Sequence, residues 1–386
     1  MIYLDNAATS CPKPESVYQV MDEFMRKKCG NPGRGGHSMA VAATEAIEET
    51  RRLIAQFINA AEKDRVIFAL NCTLALNLGL KGLLKPGDHV ITDSIEHNSV
   101  IRPLKKLERK GIIITKISPS FEGGFLSPQD IKKSIKGETK LLIVNHASNV
   151  TGIIQPVAEY GAIAREHKLI FMVDAAQTAG RYSIDVHRDY IDLLAFSGHK
   201  GLLGPPGTGV LYVGERVELE SIFEGGTGTH SEKAEQPKEL PFRYECGTSN
   251  SVGICGLGAG LKYINNEGID KIQNHEHGLI DRLIEGLTDI PGLTLYIAKN
   301  RSYQAAVISF NIDGLDPAEV EAILDQAFDI KVRAGLHCTL ETHKNLNTYP
   351  KGTIRLSPGY FNTEEEIDRV VQAVEKIARA QTPNYS

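Results

Sequence analysis

The feature that most limits the fold of this chain is a recurrence of short apolar runs, each separated from the next by residues with helical spacing. Residues 66–70, 89–92, 112–117, 141–144, 169–173, 193–196 and 210–213 read as seven buried strands. Strands alternating with helices predict an α/β fold, with a mainly parallel seven-stranded sheet and helices on both faces. A helical stretch over 253–287 then leads into a smaller C-terminal α/β domain. There 306–310, 330–333 and 353–357 read as strands, and 317–327 as a helix. Thr363 and Glu366 stand in capping-box spacing before a final helix, whose apolar stripe is Ile367, Val370, Val371, Val374 and Ile377. The expected division is an N-terminal segment, 1–14, packing with the small domain, a large domain over 15–260, and the small domain over 261–386.

Polar residues gather just after the strands. Glu96 and His97 follow one, Asn149 another, Asp174 and Gln177 a third, and Ser197, His199 and Lys200 a fourth. In open α/β sheets that rim is where ligands bind. Asn71, Cys72 and Thr73 turn a strand into a helix, and the N–H groups and hydroxyl of such a turn suit a phosphate. The glycine- and proline-rich run that ends in Thr208 and Gly209 has the look of a nucleotide loop. It lacks the Lys and Ser/Thr that such a loop needs, because apolar Val210 and Leu211 follow, so a P-loop NTPase is excluded.

Composition narrows the partners. A net charge of −5 with both signs dispersed gives no nucleic-acid or anionic-membrane footprint. No apolar run is long enough to span a bilayer and the first residues are not a signal peptide, so a cytoplasmic protein is expected. The six cysteines show no CxxC spacing, which argues against a metal site and for free thiols. Residues 1–37, rich in glycine and polar groups, read as loops that can cover a site. Residues 224–250 lose all apolar periodicity, and an irregular stretch of that length is usually functional or at a subunit contact.

Pyridoxal phosphate (PLP) chemistry needs a lysine for its aldehyde, a carboxylate at its ring nitrogen, a flat group against its ring and donors around its phosphate. Lys200, Asp174 and His97 meet the first three demands. Each alone has an ordinary reading: a surface lysine, a helix cap, a loop histidine. Their order and joint placement at strand ends favour a site.

The chain resembles the class V aminotransferase family of fold-type-I PLP enzymes, in its cysteine desulfurase/selenocysteine lyase branch. The motifs that carry the resemblance span nearly the whole chain. They are Tyr3-Leu4-Asp5-Asn6-Ala7-Ala8-Thr9, Glu96-His97, Ser148-Asn149-Val150-Thr151-Gly152, Val173-Asp174-Ala175-Ala176-Gln177 and Ser197-Gly198-His199-Lys200. Gly247-Thr248-Ser249-Asn250, Arg333-Ala334-Gly335-Leu336-His337-Cys338 and Arg355-Leu356-Ser357 complete them. The resemblance implies that Lys200 carries PLP, Asp174 pairs with its ring nitrogen and His97 stacks on its ring. It places Gln177 and Asn149 near the phenolic oxygen, and Cys72, Thr73, Ser197 and His199 around the phosphate. Thr248 would reach the phosphate of a neighbouring subunit, which implies a homodimer. Arg355, with Asn149 and Arg34, would bind the substrate, and Cys338 would accept its sulfur from a compact loop. Three stretches depart from the usual pattern: Asn71-Cys72-Thr73 in the phosphate turn, Gly33 before Arg34, and Thr339-Leu340-Glu341 after Cys338.

The activity implied is a PLP-dependent conversion of L-cysteine to L-alanine with sulfur held as a persulfide on Cys338, then passed to an acceptor protein. A selenocysteine lyase and a cystine or cysteine C–S lyase are the alternatives. An ordinary transaminase has no use for Cys338. A non-catalytic scaffold of the same fold would not be expected to keep Lys200 and Asp174. His97 or His337 would manage protons, and His337 would favour the Cys338 thiolate.

Overall fold

The computed structural model describes all residues except 34, 120–123, 230, 231, 233 and 382–386. Its strands in chain order are β1 (Ile2–Tyr3), β2 (Val66–Ala69), β3 (His89–Asp93), β4 (Ile113–Ile117), β5 (Thr139–Asn145), β6 (Ile170–Asp174) and β7 (Leu193–Ser197). They continue with β8 (Gly209–Val213), β9 (Leu293–Tyr296), β10 (Ile308–Ile312), β11 (Ile330–Lys331), β12 (Arg333–Gly335) and β13 (Thr353–Leu356).

Seven of these form one sheet in the order β2-β8-β7-β6-β5-β3-β4, as expected. The pairs from β7 to β4 are parallel, and β8 alone runs antiparallel to its two neighbours. Because side chains alternate across a strand, β5 sends Leu142 and Val144 into one apolar core and Leu141 and Ile143 into another. Phe171 and Val173 of β6 face the first core, and Met172 faces the second. A sheet with a core on each face needs apolar residues at every position, which is why these strands read as continuous runs.

The C-terminal part carries an antiparallel sheet, β12-β13-β10-β9. Its core takes Ile280, Leu283, Ile284 and Leu287 from the helix Ile269–Thr288, and Ile367, Val370 and Val374 from the helix Glu364–Gln381. Thr363 and Glu366 do form the reciprocal cap, with the Thr363 N–H on Glu366 Oε2 and the Glu366 N–H on Thr363 Oγ1.

Four features differ from the sequence expectation. Residues 1–37 are not all loop: β1 pairs in parallel with β11, and a helix runs over Glu15–Lys27 with Val17 and Phe24 buried. The stretch 253–287 is two helices, Ser251–Glu267 and Ile269–Thr288, broken at Gly268, whose φ of +86° suits glycine. The run 330–333 serves two sheets, since β11 pairs with β1 and β12 with β13. Strand β9, paired with β10, has no counterpart in the apolar pattern. Between 224 and 250 the described residues form no helix or strand. Among the described residues no helix is long and apolar enough to cross a membrane.

Candidate active site

Strand ends build one rim. The register sets Asn145 of β5 beside Asp174 of β6, and Asp174 beside Ala195 of β7. Ser197, ending β7, pairs with Gly209, which also pairs with Ala69 at the end of β2. Gly209 is needed there, because a Cβ would lie 2.5 Å from the backbone carbon of Asn71. The turn after β2 therefore rests directly on β8. On this rim lies a cavity of about 300 Å³, lined by Asn71, Cys72, Thr73, His97, Ser99, Asn145, Ala147, Asn149, Asp174, Ala176, Gln177, Ser197, His199 and Lys200.

Asn71 caps the helix Cys72–Leu83, its Oδ1 accepting from the Leu74 N–H at 3.0 Å. The Cys72 N–H donates to Ser197 Oγ at 3.2 Å. Its thiol turns the other way and donates to Asp174 Oδ1 at 3.3 Å, beside the Ala176 N–H at 2.9 Å. Burial, then the Asp174 carboxylate, pushes the Cys72 thiol well up, so it stays protonated as a donor. Thr73 Oγ1 shares a 2.7 Å hydrogen bond with Ser99 Oγ.

His97 begins the helix Asn98–Glu108 and accepts the Ser99 N–H on Nδ1 at 3.1 Å. An N–H can only donate, so the neutral ring carries its proton on Nε2. Burial pushes its pKa down to about 4. Beneath it, burial raises Asp93 to about 7 and lifts Glu96 well above the carboxylate range.

The Lys200 amine is pushed below its ordinary value by burial, against the pull of Asp174. Its backbone is clamped by the chain's first residues. The His199 carbonyl accepts from the Ser10 N–H at 3.0 Å, Thr9 Oγ1 at 3.1 Å and Lys13 Nζ at 2.8 Å. The Lys200 carbonyl accepts from Ser10 Oγ at 2.9 Å.

Gln177 Nε2 donates to the Ala7 carbonyl, while its Oε1 and His199 Nδ1 are buried with no protein partner among the described residues. Buried polar atoms of that kind ask for a bound group. Together with Asp174, Lys200, the His97 ring and Thr73 at the start of the Cys72–Leu83 helix, they fit PLP.

Cys338, Arg355 and Thr248 do not line this cavity. Cys338 is exposed in a turn with φ +61°, after His337 at +45°, a left-handed pair that non-glycine residues rarely adopt. The turn is tied to the site: the Cys338 carbonyl accepts the Asn98 N–H at 2.9 Å, and the His337 carbonyl accepts Asn149 Nδ2 at 2.7 Å. The His337 ring does not serve the thiol. Its Nε2 donates to the Thr353 carbonyl at 3.0 Å, and burial pushes its pKa down to about 2, so it stays neutral. Arg355 lies near enough to Cys338 for the two to interact electrostatically.

Arg355 is only 2% exposed. Its Nη1 donates to the Asn149 carbonyl at 3.1 Å and its Nη2 to Asp5 Oδ1 at 2.7 Å. Thr248 is exposed in the irregular segment ahead of the helix Ser251–Glu267. Arg34 lies outside the described residues. Asn145 and Ser99 join the site without having stood out in the sequence. Asn145 carried the same signal as Asp174, a polar residue closing an apolar run.

The chain resembles known proteins in both sequence and fold. The profile of the family Aminotransferase class-V matches residues 2–370. A probable cysteine desulfurase of Pyrococcus abyssi is 40% identical, over 98% of this chain and 95% of its own. A cysteine desulfurase of Escherichia coli O157:H7 is 34% identical, over 98% and 94%. Among solved structures, an apo cysteine desulfurase of Thermococcus onnurineus superposes with a TM-score of 0.92 at 38% identity, covering 98% of this chain and 95% of that one. A cysteine desulfurase of Escherichia coli gives 0.88 at 27% identity, covering 98% and 94%. By its motifs, its fold and these relatives, the chain belongs to the class-V aminotransferase family.

Proposed function

We propose that the protein is a homodimeric, PLP-dependent cysteine desulfurase that turns L-cysteine into L-alanine and holds the sulfur as a persulfide on Cys338. The observation that carries this reading is the meeting of Lys200, Asp174 and His97 in one cavity, with Cys338 in a turn tied to its wall.

When bound, PLP supplies an electron sink for the bonds at the α-carbon of an amino acid. Asp174, held by the Ala176 N–H and the Cys72 thiol, would supply the carboxylate for the ring nitrogen. Lys200 Nζ would be the covalent anchor and the base for the α-proton, and burial, which pushes its pKa below the ordinary value, favours the neutral amine that a base must be. His97 presents a neutral imidazole to the ring. Gln177, Asn149 and His199 offer polar atoms to the cofactor's oxygens, and the turn at Cys72 and Thr73, with Ser197, cradles the phosphate.

Arg355 and Asn149, with Arg34, bind the substrate, and the Arg355 guanidinium takes its carboxylate. The Cys338 thiolate attacks the substrate sulfur. An S–S bond forms, the C–S bond breaks with its electron pair staying on carbon, and a proton completes alanine. Thr248, exposed on this chain, completes the phosphate site of a second subunit. The large unit 15–260 holds the cofactor; 261–386 carries Cys338 and Arg355; and 1–14 joins the latter through β1 and β11. An acceptor protein takes the sulfur from the exposed thiol.

Product analysis with cysteine and selenocysteine side by side tests the reading. Alanine and sulfide from cysteine in equal amounts are expected under reducing conditions. Pyruvate from cysteine would favour a C–S lyase, and alanine from selenocysteine alone would favour a selenocysteine lyase.

A further inference from the structure

Asp5 belongs to a motif near the amino terminus and does not line the cavity, yet it forms an ion pair with the buried Arg355. Its mount is rigid. The Leu4 carbonyl accepts the Ser357 N–H at 2.8 Å, and the Asn6 N–H donates to the Ser357 carbonyl at 3.2 Å. The Ala7 N–H donates to Ser357 Oγ at 2.9 Å, and the Ala7 carbonyl accepts Gln177 Nε2 at 3.1 Å. Residues 4–7 are thereby stitched between the end of β13, two residues beyond Arg355, and a residue that lines the cavity.

The guanidinium is pinned by both terminal nitrogens, Nη1 on the Asn149 carbonyl and Nη2 on Asp5 Oδ1. Its Nε is buried and without a partner among the described residues. Burial alone would lower the affinity of this guanidinium for its proton, and the Asp5 carboxylate works against that. A side chain fixed at two corners keeps the Nε N–H and the second N–H of Nη2 side by side on one edge, set to receive both oxygens of a carboxylate. We infer that Asp5 is a positioning residue for substrate binding: it holds the Arg355 guanidinium in the plane that receives the carboxylate of the amino acid. This rests on the assignment of Arg355 as the carboxylate site. Asp5 stabilises the plane without touching substrate, so its loss acts on binding and leaves the chemical step intact.

The test compares Asp5→Ala, Asp5→Asn and Arg355→Ala in the PLP-loaded dimer, reading KM for cysteine, kcat, bound PLP and Tm. Asp5→Ala is expected to raise KM about tenfold, the value of one charge-assisted hydrogen bond. Its kcat should stay within about twofold and its PLP content unchanged, as a binding-only loss requires. Asp5→Asn, which keeps an oxygen for Nη2, should recover most of the affinity; this rescue separates positioning from a general loosening of the fold. Wild-type KM in Asp5→Ala, or a KM below wild type, would overturn the inference. So would equal losses in Asp5→Ala and Asp5→Asn with wild-type Tm. Wild-type KM in Arg355→Ala would instead overturn the carboxylate site itself. A raised KM in Arg355→Ala with none in Asp5→Ala would defeat only the role of Asp5.

Discussion

Cys338 shows how one residue's surroundings decide its chemistry. It is exposed, held in a left-handed turn, and close to a guanidinium, whereas Cys72 is buried beside a carboxylate that keeps it protonated. Only the first can be reached by a substrate sulfur and by an acceptor. Cys338→Ala is therefore expected to retain bound PLP and to lose alanine formation from cysteine by at least about 100-fold, as removal of a reacting nucleophile does. Its Tm should stay near wild type, because an exposed side chain contributes little packing. Alanine release at the wild-type rate would show that another group accepts the sulfur.

At the scale of elements, the site depends on how closely β8 passes the turn after β2. Gly209→Ala would place a methyl group 2.5 Å from the Asn71 backbone, and neither strand can retreat without breaking the pairs between Ala69, Gly209 and Ser197. The expected result is a displaced phosphate turn, seen as PLP dissociation at least about tenfold faster than from wild type, with a loss of about 1–3 kcal/mol in stability from overpacking. Unchanged PLP release would mean that the turn does not carry the phosphate.

The strands of the large sheet were legible because burial on both faces leaves an unbroken apolar run, and their polar ends could be read as a rim. The helix Glu15–Lys27 was missed although Val17, Val20, Met21 and Phe24 stand at helical spacing, because that stripe lies within a stretch whose prolines, glycines and polar residues read as loop. The division of 330–333 between two sheets was also hidden, since β11 finds its partner in β1 at the other end of the chain. The same distance hid the bond between Asp5 and Arg355, 350 positions apart. Sequence pattern reports which face of an element is buried, not which remote polar group meets it.

For the whole molecule, the buried titratable groups set the response to acid. His97, His146, His199 and His343 are pushed down to about 4 and His337 to about 2, all by burial. Below the unfolded value of about 6.5 the unfolded chain takes up these protons and the folded one does not, so stability falls as pH drops. Asp93, raised to about 7 by burial, acts in the opposite sense, because the folded state holds its proton over this range, and the upward shifts of Glu96 and Glu276 have the same sign. His89 and His277 are lowered by burial as well, so the histidines outnumber the raised acids and Tm should decline between about pH 6.5 and pH 4.5. A Tm that rises over that interval would contradict these protonation states. The central claim, that the rim is a PLP site anchored on Lys200, is tested most directly by reducing the holoprotein with borohydride and mapping the pyridoxyl group by peptide mass spectrometry. The expected result is one modified lysine, Lys200, with none modified in Lys200→Ala. A pyridoxyl group on any other lysine of the wild-type chain, or on none, would contradict it.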